Sequence, residues 1–151
     1  DAPFAVRDEA AYGALFQNAH ARVVGESSAT YLYSRVAAKN IHAANPDASI
    51  VAVVRNPVEM LPSLHSQRRV NGTEPYPTLA EALEAEPRRR AGELPAVGAF
   101  PFYLEAARYT EQLRRYLDRF PAERVHVVVF DDLKRDVGAV YAGLLGFLDL
   151  P

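Results

Sequence analysis

The chain has 151 residues, 49% apolar and 24% charged, with a net charge of −2, which is one domain of ordinary size with material for a single substantial core. So nearly neutral a chain argues against a general nucleic-acid or membrane-surface binder, and any anion site must be local. It has no cysteine, which removes disulfides, thiolate metal sites and cysteine nucleophiles, and no stretch has the length of a membrane span or the pattern of a signal peptide.

In chain order, Asp8 is placed to cap a helix over Glu9 to His20, with Ala11, Tyr12, Leu15 and Phe16 on one face. Arg22 to Gly25 reads as a short strand ending in glycine, Glu26 to Thr30 as a polar turn, and Tyr31 to Ala44 as a helix stopped by Asn45-Pro46. Ile50 to Val54 is an unbroken run of small or β-branched apolar residues, the pattern of a parallel strand covered on both faces. It stops at Arg55. Asn56 then offers a helix cap, Pro57 suits the first helical position, and Glu59 stands where a capping box wants a carboxylate. A strand thus delivers a cation to its carboxyl end just where a helix begins. That edge is where open α/β sheets bind ligands and where helix amino-termini favour anions. Ser63, about two turns into a regular helix, falls roughly on the Arg55 side. Guanidinium, free helix amides and hydroxyl together suit a phosphate. The alternative, that Arg55 only pairs with a neighbouring acid, stays open.

This helix runs towards Val70 and closes at Asn71-Gly72, with Pro62 expected to bend or loosen it. After a loop over Thr73 to Pro77, Thr78 and Glu81 form a capping box for the next helix, which contains Leu79 and Leu83. Glu86 to Pro101, with Arg88-Arg89-Arg90, Gly92, Pro95 and Gly98, reads as a long surface excursion. The longest helix is expected from about Phe102 to Phe120, with Tyr109, Leu113, Tyr116, Leu117 and Phe120 on its apolar face. Val125 to Phe130 is a second buried-type strand. Asp131 or Asp132 then caps a last helix, with Val137, Val140, Tyr141, Leu144, Leu145 and Leu148 as its core face. Strands alternate with helices, with no repeat or linker, so residues 1–151 are expected to form one three-layer α/β domain with a mostly parallel sheet flanked by helices. Three strands are few for such a unit, which hints that part of the fold is absent.

Taken together, four segments in order resemble the sulfotransferases that use 3′-phosphoadenosine 5′-phosphosulfate (PAPS), from about Val23 to Leu150. Gly25-Glu26-Ser27-Ser28-Ala29-Thr30-Tyr31-Leu32 is similar to that family's turn with Gly-Glu and Tyr-Leu. Arg55-Asn56-Pro57 with Ser63 resembles its 3′-phosphate motif. Leu113 to Phe120 followed by Val125 to Leu133 resembles a later helix and strand, and Gly146-Phe147-Leu148 its closing segment. The resemblance implies a fold related to P-loop nucleotide kinases and transfer of a sulfuryl group from PAPS to a hydroxyl or amine. By position, Arg55 and Ser63 would hold the 3′-phosphate, Arg through its planar fork. Glu26 would take the acceptor's proton, which asks for burial or a nearby acid to raise its pKa; the plainer alternative is a solvated turn acid. His65, two residues past Ser63, is a second candidate base, because some branches of the family use histidine; an exposed helix-surface role is the plainer expectation.

The same comparison implies departures. The family's Gly-rich turn with lysine, which binds the 5′-phosphosulfate, has no counterpart, since neither Lys39 nor Lys134 follows a Gly-rich turn. The later loop over the adenine is also missing. Met60 stands where many members have arginine, and Pro62 where many have an aromatic. The expectation is therefore an incomplete sulfotransferase domain, its central and later part, with activity in this form an open question. A non-catalytic binding domain and a phosphoryl-transfer relative on the same fold are the rivals. No metal site is expected, because His20 and His42 lack partners at ligand spacing and helix capping explains Asp131-Asp132. Arg68, Arg69 and Arg88 to Arg90 would line a site for an acidic ligand or, more simply, form a solvated face. The expected partner is a small-molecule or carbohydrate acceptor met by the Thr73 to Pro101 segment, with neither nucleic acid nor membrane. Composition suggests a bacterial cytoplasmic protein.

Overall fold

The computed structural model describes residues 8–17 and 20–151. Asp8 caps α1 (Glu9–Ala14) through a 2.7 Å bond from the Ala11 amide, as the sequence suggests, though the helix ends well before His20. Arg22 to Gly25 is not a strand: these residues form bends and irregular chain, and all are exposed. Two valines give too short an apolar run to hold a strand without a ladder partner.

The sheet among the described residues has two strands, β1 (Ile50–Val54) and β2 (Val125–Val129). They pair in parallel and in register, from Ile50 opposite Val125 to Val54 opposite Val129. Ala52 and Val128 are buried, but Val51, Val53, Val127 and Val129 are each at least 40% exposed. The expectation of a strand covered on both faces is therefore corrected. A β-branched run specifies extended backbone, not what lies over it. The class holds: an α/β fold with a small parallel sheet flanked by helices.

Helix α2 (Ala37–Ala44) starts later than the sequence suggests. The carbonyls of Tyr31, Leu32 and Tyr33 are taken by Tyr116 Oη at 2.9 Å and Arg115 Nη2 at 2.9 and 3.2 Å, so long-range donors compete with a local helix there. Helix α3 (Pro57–Val70) matches its expected bounds and continues through Pro62. Asn56 Oδ1 caps it by accepting from the Val58 amide at 3.0 Å, and Gly72 follows at φ 68°, the left-handed exit that favours glycine. Helix α4 (Leu79–Glu84) opens on the capping box, with Thr78 and Glu81 exchanging bonds of 3.0 and 3.2 Å.

The supposed surface excursion contains a fifth helix, α5 (Glu86–Arg90), in which Glu86 and Arg89 are buried. The expected long helix is two: α6 (Tyr103–Ala106) and α7 (Tyr109–Leu117). Gln112 Nε2 donates to the carbonyls of Glu105 and Ala106 at 2.8 and 3.1 Å, satisfying the end of α6 where the helix breaks. The last helix is also divided, into α8 (Phe130–Arg135) and α9 (Val137–Phe147). Its cap is Asp136, which accepts from Ala139 at 2.9 Å, and neither Asp131 nor Asp132 serves. A small core joins these pieces: Ala38, Tyr116 and Phe120 are buried, with Leu32, Ile41, Ala48, Ile50 and Val125 packed against them.

Candidate functional site

Strands that pair in register end together, so Arg55 and Phe130 leave the sheet side by side. A helix follows each strand with almost no loop, α3 from Pro57 and α8 from Phe130 itself. One turn later, four residues on from Arg55 and from Phe130, come Glu59 and Lys134. All four meet. Arg55 Nη2 and Nε donate to Glu59 Oε2 at 3.2 and 3.4 Å. Lys134 Nζ donates to the same oxygen at 2.8 Å and to Asp131 Oδ1 at 3.1 Å. Both cations lie over the Phe130 ring, 5.4 and 5.2 Å from its centroid. The Arg55 side chain is 34% exposed and that of Lys134 45%, so a ligand can reach both.

Glu59 thus answers Arg55 and Lys134 rather than completing a capping box. Hydrogen bonding from Lys134, then from Arg55, holds its carboxyl below the usual range, and Glu59 in turn raises Lys134. Of the two sequence readings of Arg55, pairing with a neighbouring acid is the arrangement seen, while the guanidinium still stands open at the carboxyl edge of the sheet. Ser63 is exposed on α3, and no hydrogen bond among the described residues ties it to Arg55.

Glu26 is also exposed, in irregular chain. Hydrogen bonding with its carboxylate, aided by burial, pushes the Tyr31 hydroxyl up to about 12. His65 differs from its expected surface placement: it is buried, its Nε2 lies 3.1 Å from the Tyr76 carbonyl, and its ring sits 6.2 Å from that of Tyr103. Asp131 and Asp132 pair with Lys134 and Arg135.

A second charged group lies beyond the other end of α3. Glu74 is buried, bonded to Arg89 Nη2, to Tyr103 Oη at 2.8 Å and to the Tyr76 amide at 3.3 Å, with Arg68 Nη2 at 3.5 Å. Burial pushes its carboxyl up, but the bonds from Arg89, Tyr103 and Tyr76 outweigh that and hold it below the usual range. Arg68 reaches on to the Phe100 and Val97 carbonyls at 2.8 and 3.1 Å. Arg68 and Arg89 are therefore internal ties that fasten the 73–101 segment, not a solvated face. A cleft of about 270 Å³ opens there beside Tyr76, Arg89, Leu94, Pro95 and Val97. The full length of α3, roughly 20 Å, separates it from Arg55. Lys134, Phe130 and Glu74 were not identified as site or anchor residues by sequence reasoning. The one available signal was the equal spacing of Arg55 to Glu59 and Phe130 to Lys134, which means nothing until the strand register is known.

The family described as "Sulfotransferase domain" matches residues 18–151. The chain belongs to the sulfotransferase family. Its fold is similar to that of a solved sulfotransferase from Alicyclobacillus acidocaldarius, with a TM-score of 0.88 and 31% identity over 99% of this chain and 59% of that one. It is also 26% identical over 132 residues to the bifunctional heparan sulfate N-deacetylase/N-sulfotransferase 1 of Caenorhabditis briggsae, covering 85% of this chain and 15% of that protein. The sulfotransferase chain thus spans a small part of its curated relative and somewhat more than half of the solved one. Among the described residues no helix is long and apolar enough to cross a membrane.

Proposed function

We propose that this sulfotransferase domain takes part in moving a sulfuryl group from PAPS to a hydroxyl or amine of a small-molecule or carbohydrate acceptor. The observation that carries the proposal is the placement of Arg55: an accessible guanidinium at the carboxyl edge of a parallel strand pair, immediately before the capped amino-terminus of α3. This donor set fits a phosphate. The fork of Arg55 gives paired, charge-assisted bonds, and the exposed Ser63 adds a hydroxyl. Arg55 and Ser63 would hold the 3′-phosphate, and the bound cofactor would supply the activated sulfuryl group. Glu26 would accept the acceptor's proton. Exposed as it stands, Glu26 needs the arriving acceptor to exclude water before it becomes an effective base. His65, the other candidate base, already has a ring nitrogen engaged with the Tyr76 carbonyl, which favours Glu26. The likeness to the heparan sulfate N-deacetylase/N-sulfotransferase of Caenorhabditis briggsae supports a carbohydrate acceptor. A cytoplasmic, bacterial setting belongs to the same proposal.

Calorimetric titration of the full-length protein with adenosine 3′,5′-bisphosphate tests the cofactor assignment. Binding that R55M removes supports it, and no affinity at millimolar ligand overturns it. A non-catalytic binding domain is the second reading, favoured by Glu59 sitting on Arg55 and by Met60 where the family resemblance implies arginine. E26Q separates the two: sulfuryl transfer lost with bisphosphate binding kept means catalysis, whereas a binding module has no transfer to lose.

A further inference from the structure

We infer that Lys134 is a second binding residue for the anion that Arg55 takes, and that Glu59 is the internal counter-ion which that anion displaces. The inference rests on the 3′-phosphate assignment above and adds to it a residue and a mode of entry. Lys134 and Glu59 are 75 positions apart in sequence, yet the common register of β1 and β2 brings their helices out side by side. Three charge-assisted bonds, two from Arg55 and one from Lys134, converge on the single oxygen Oε2. That oxygen marks a point where an oxyanion is held by two cations at once. A carboxylate and a phosphate present the same kind of acceptor. Phosphate brings more charge and three oxygens, so it satisfies both cations where Glu59 satisfies them with one.

The surroundings allow the exchange. Glu59 is 44% exposed, so its carboxylate can turn to solvent without being left desolvated. Phe130 lies under both cations and holds their positions when Glu59 leaves. Asp131 is bonded to Lys134 from its own helix and keeps the ammonium aimed at the edge. The charged groups facing one another are thus Arg55, Lys134, Glu59 and Asp131, which sum to zero. With Glu59 turned to solvent, Arg55, Lys134 and Asp131 are left with one net positive charge for the entering anion to meet.

The test is titration of the protein and of its R55M, K134M, K134R and E59Q variants with adenosine 3′,5′-bisphosphate, with adenosine 5′-monophosphate as the ligand lacking the 3′-phosphate. K134M is expected to weaken bisphosphate binding about tenfold, the worth of one hydrogen bond to a charged group. K134R should restore most of it. E59Q is expected to tighten binding about threefold, the scale of one exposed ion pair. Monophosphate binding should not respond to either change. If R55M loses binding while K134M and E59Q bind as the unaltered protein does, the inference fails and the nucleotide assignment stands. If K134M weakens binding but E59Q does not tighten it, the displacement half fails. If the unaltered protein binds no bisphosphate, both fall together. Lys134 and Glu59 are exposed and Arg55 is half-buried, and unchanged thermal melts establish that the variants fold.

Discussion

At the scale of single residues, the caps at Asp8, Asn56 and Thr78 were legible because a cap needs only neighbours in sequence, whereas the last helix takes Asp136 in place of Asp131 or Asp132. Asn56 before Pro57 and Thr78 before Glu81 do what their spacing implies. Asn56→Ala is expected to lower stability by about 1 kcal/mol, read as a shifted urea midpoint with an unchanged slope. Glu26 shows the opposite case. Its place in a polar connection was readable, but its influence on Tyr31 depends on how that irregular chain folds. Tyr31, whose ordinary value is 10.0, is raised to about 12 first by hydrogen bonding with Glu26 and then by burial. A phenol raised on folding stabilises the native state fully below its ordinary value, and that contribution is lost as pH climbs towards the raised one. Spectrophotometric titration should therefore find Tyr31 among several late-ionising tyrosines, since burial also raises Tyr33, Tyr103, Tyr109 and Tyr116. E26Q should bring Tyr31 down; no change would show that Glu26 is not the cause.

At the scale of elements, β1 and α3 emerged at their expected bounds and β2 one residue short, whereas the strand expected at Arg22 to Gly25 did not form and the long helix and the last helix each split. The splits have a common cause. Gln112 and Asp136 supply alternative partners for backbone groups, and periodicity alone does not reveal such competition. The Glu86 to Pro101 stretch departs from expectation for a related reason, since Arg89, like Arg68, looks like charged surface until Glu74 is placed between them. Removing that carboxylate leaves Arg89 and Arg68 buried with their central partner gone. Glu74→Ala should cost about 3–5 kcal/mol, and Tyr103→Phe about 1 kcal/mol for its lost bond. The pH dependence has a definite sign. A carboxyl held low in the folded state stabilises above its ordinary value and loses that contribution as pH falls through the lowered one. Urea melts of Glu74→Gln across the acid range should thus show a flatter fall than those of the unaltered protein.

At the scale of the whole molecule, stability concentrates where α2, α7 and the starts of both strands meet. Phe120, 2% exposed in that cluster, should cost about 3–5 kcal/mol on truncation to alanine. Leu117, 49% exposed on the same stretch, should cost under about 0.5 kcal/mol. Sequence periodicity placed both on one apolar face, so the pair tests the structure directly. The uncovered valines give a second test, since they lie on both faces of the sheet, Val53 on one and Val127 and Val129 on the other. Val53→Thr should be close to neutral if its side chain meets water, whereas marked destabilisation would mean that something covers it in solution.

The sequence by itself determined the local chemistry: an α/β pattern, the run from Ile50 to Pro57 that ends in a cation and starts a helix, and the capping residues around it. These follow from short-range sterics and hydrogen bonding, which a few neighbouring residues settle. Tertiary structure alone decided that Arg55 shares Glu59 with Lys134, that Arg68 and Arg89 are internal, and which valines remain uncovered. Each of these depends on pairing between segments far apart in the chain. Strand register, fixed by the ladder of β1 and β2, has no signature in either segment read alone.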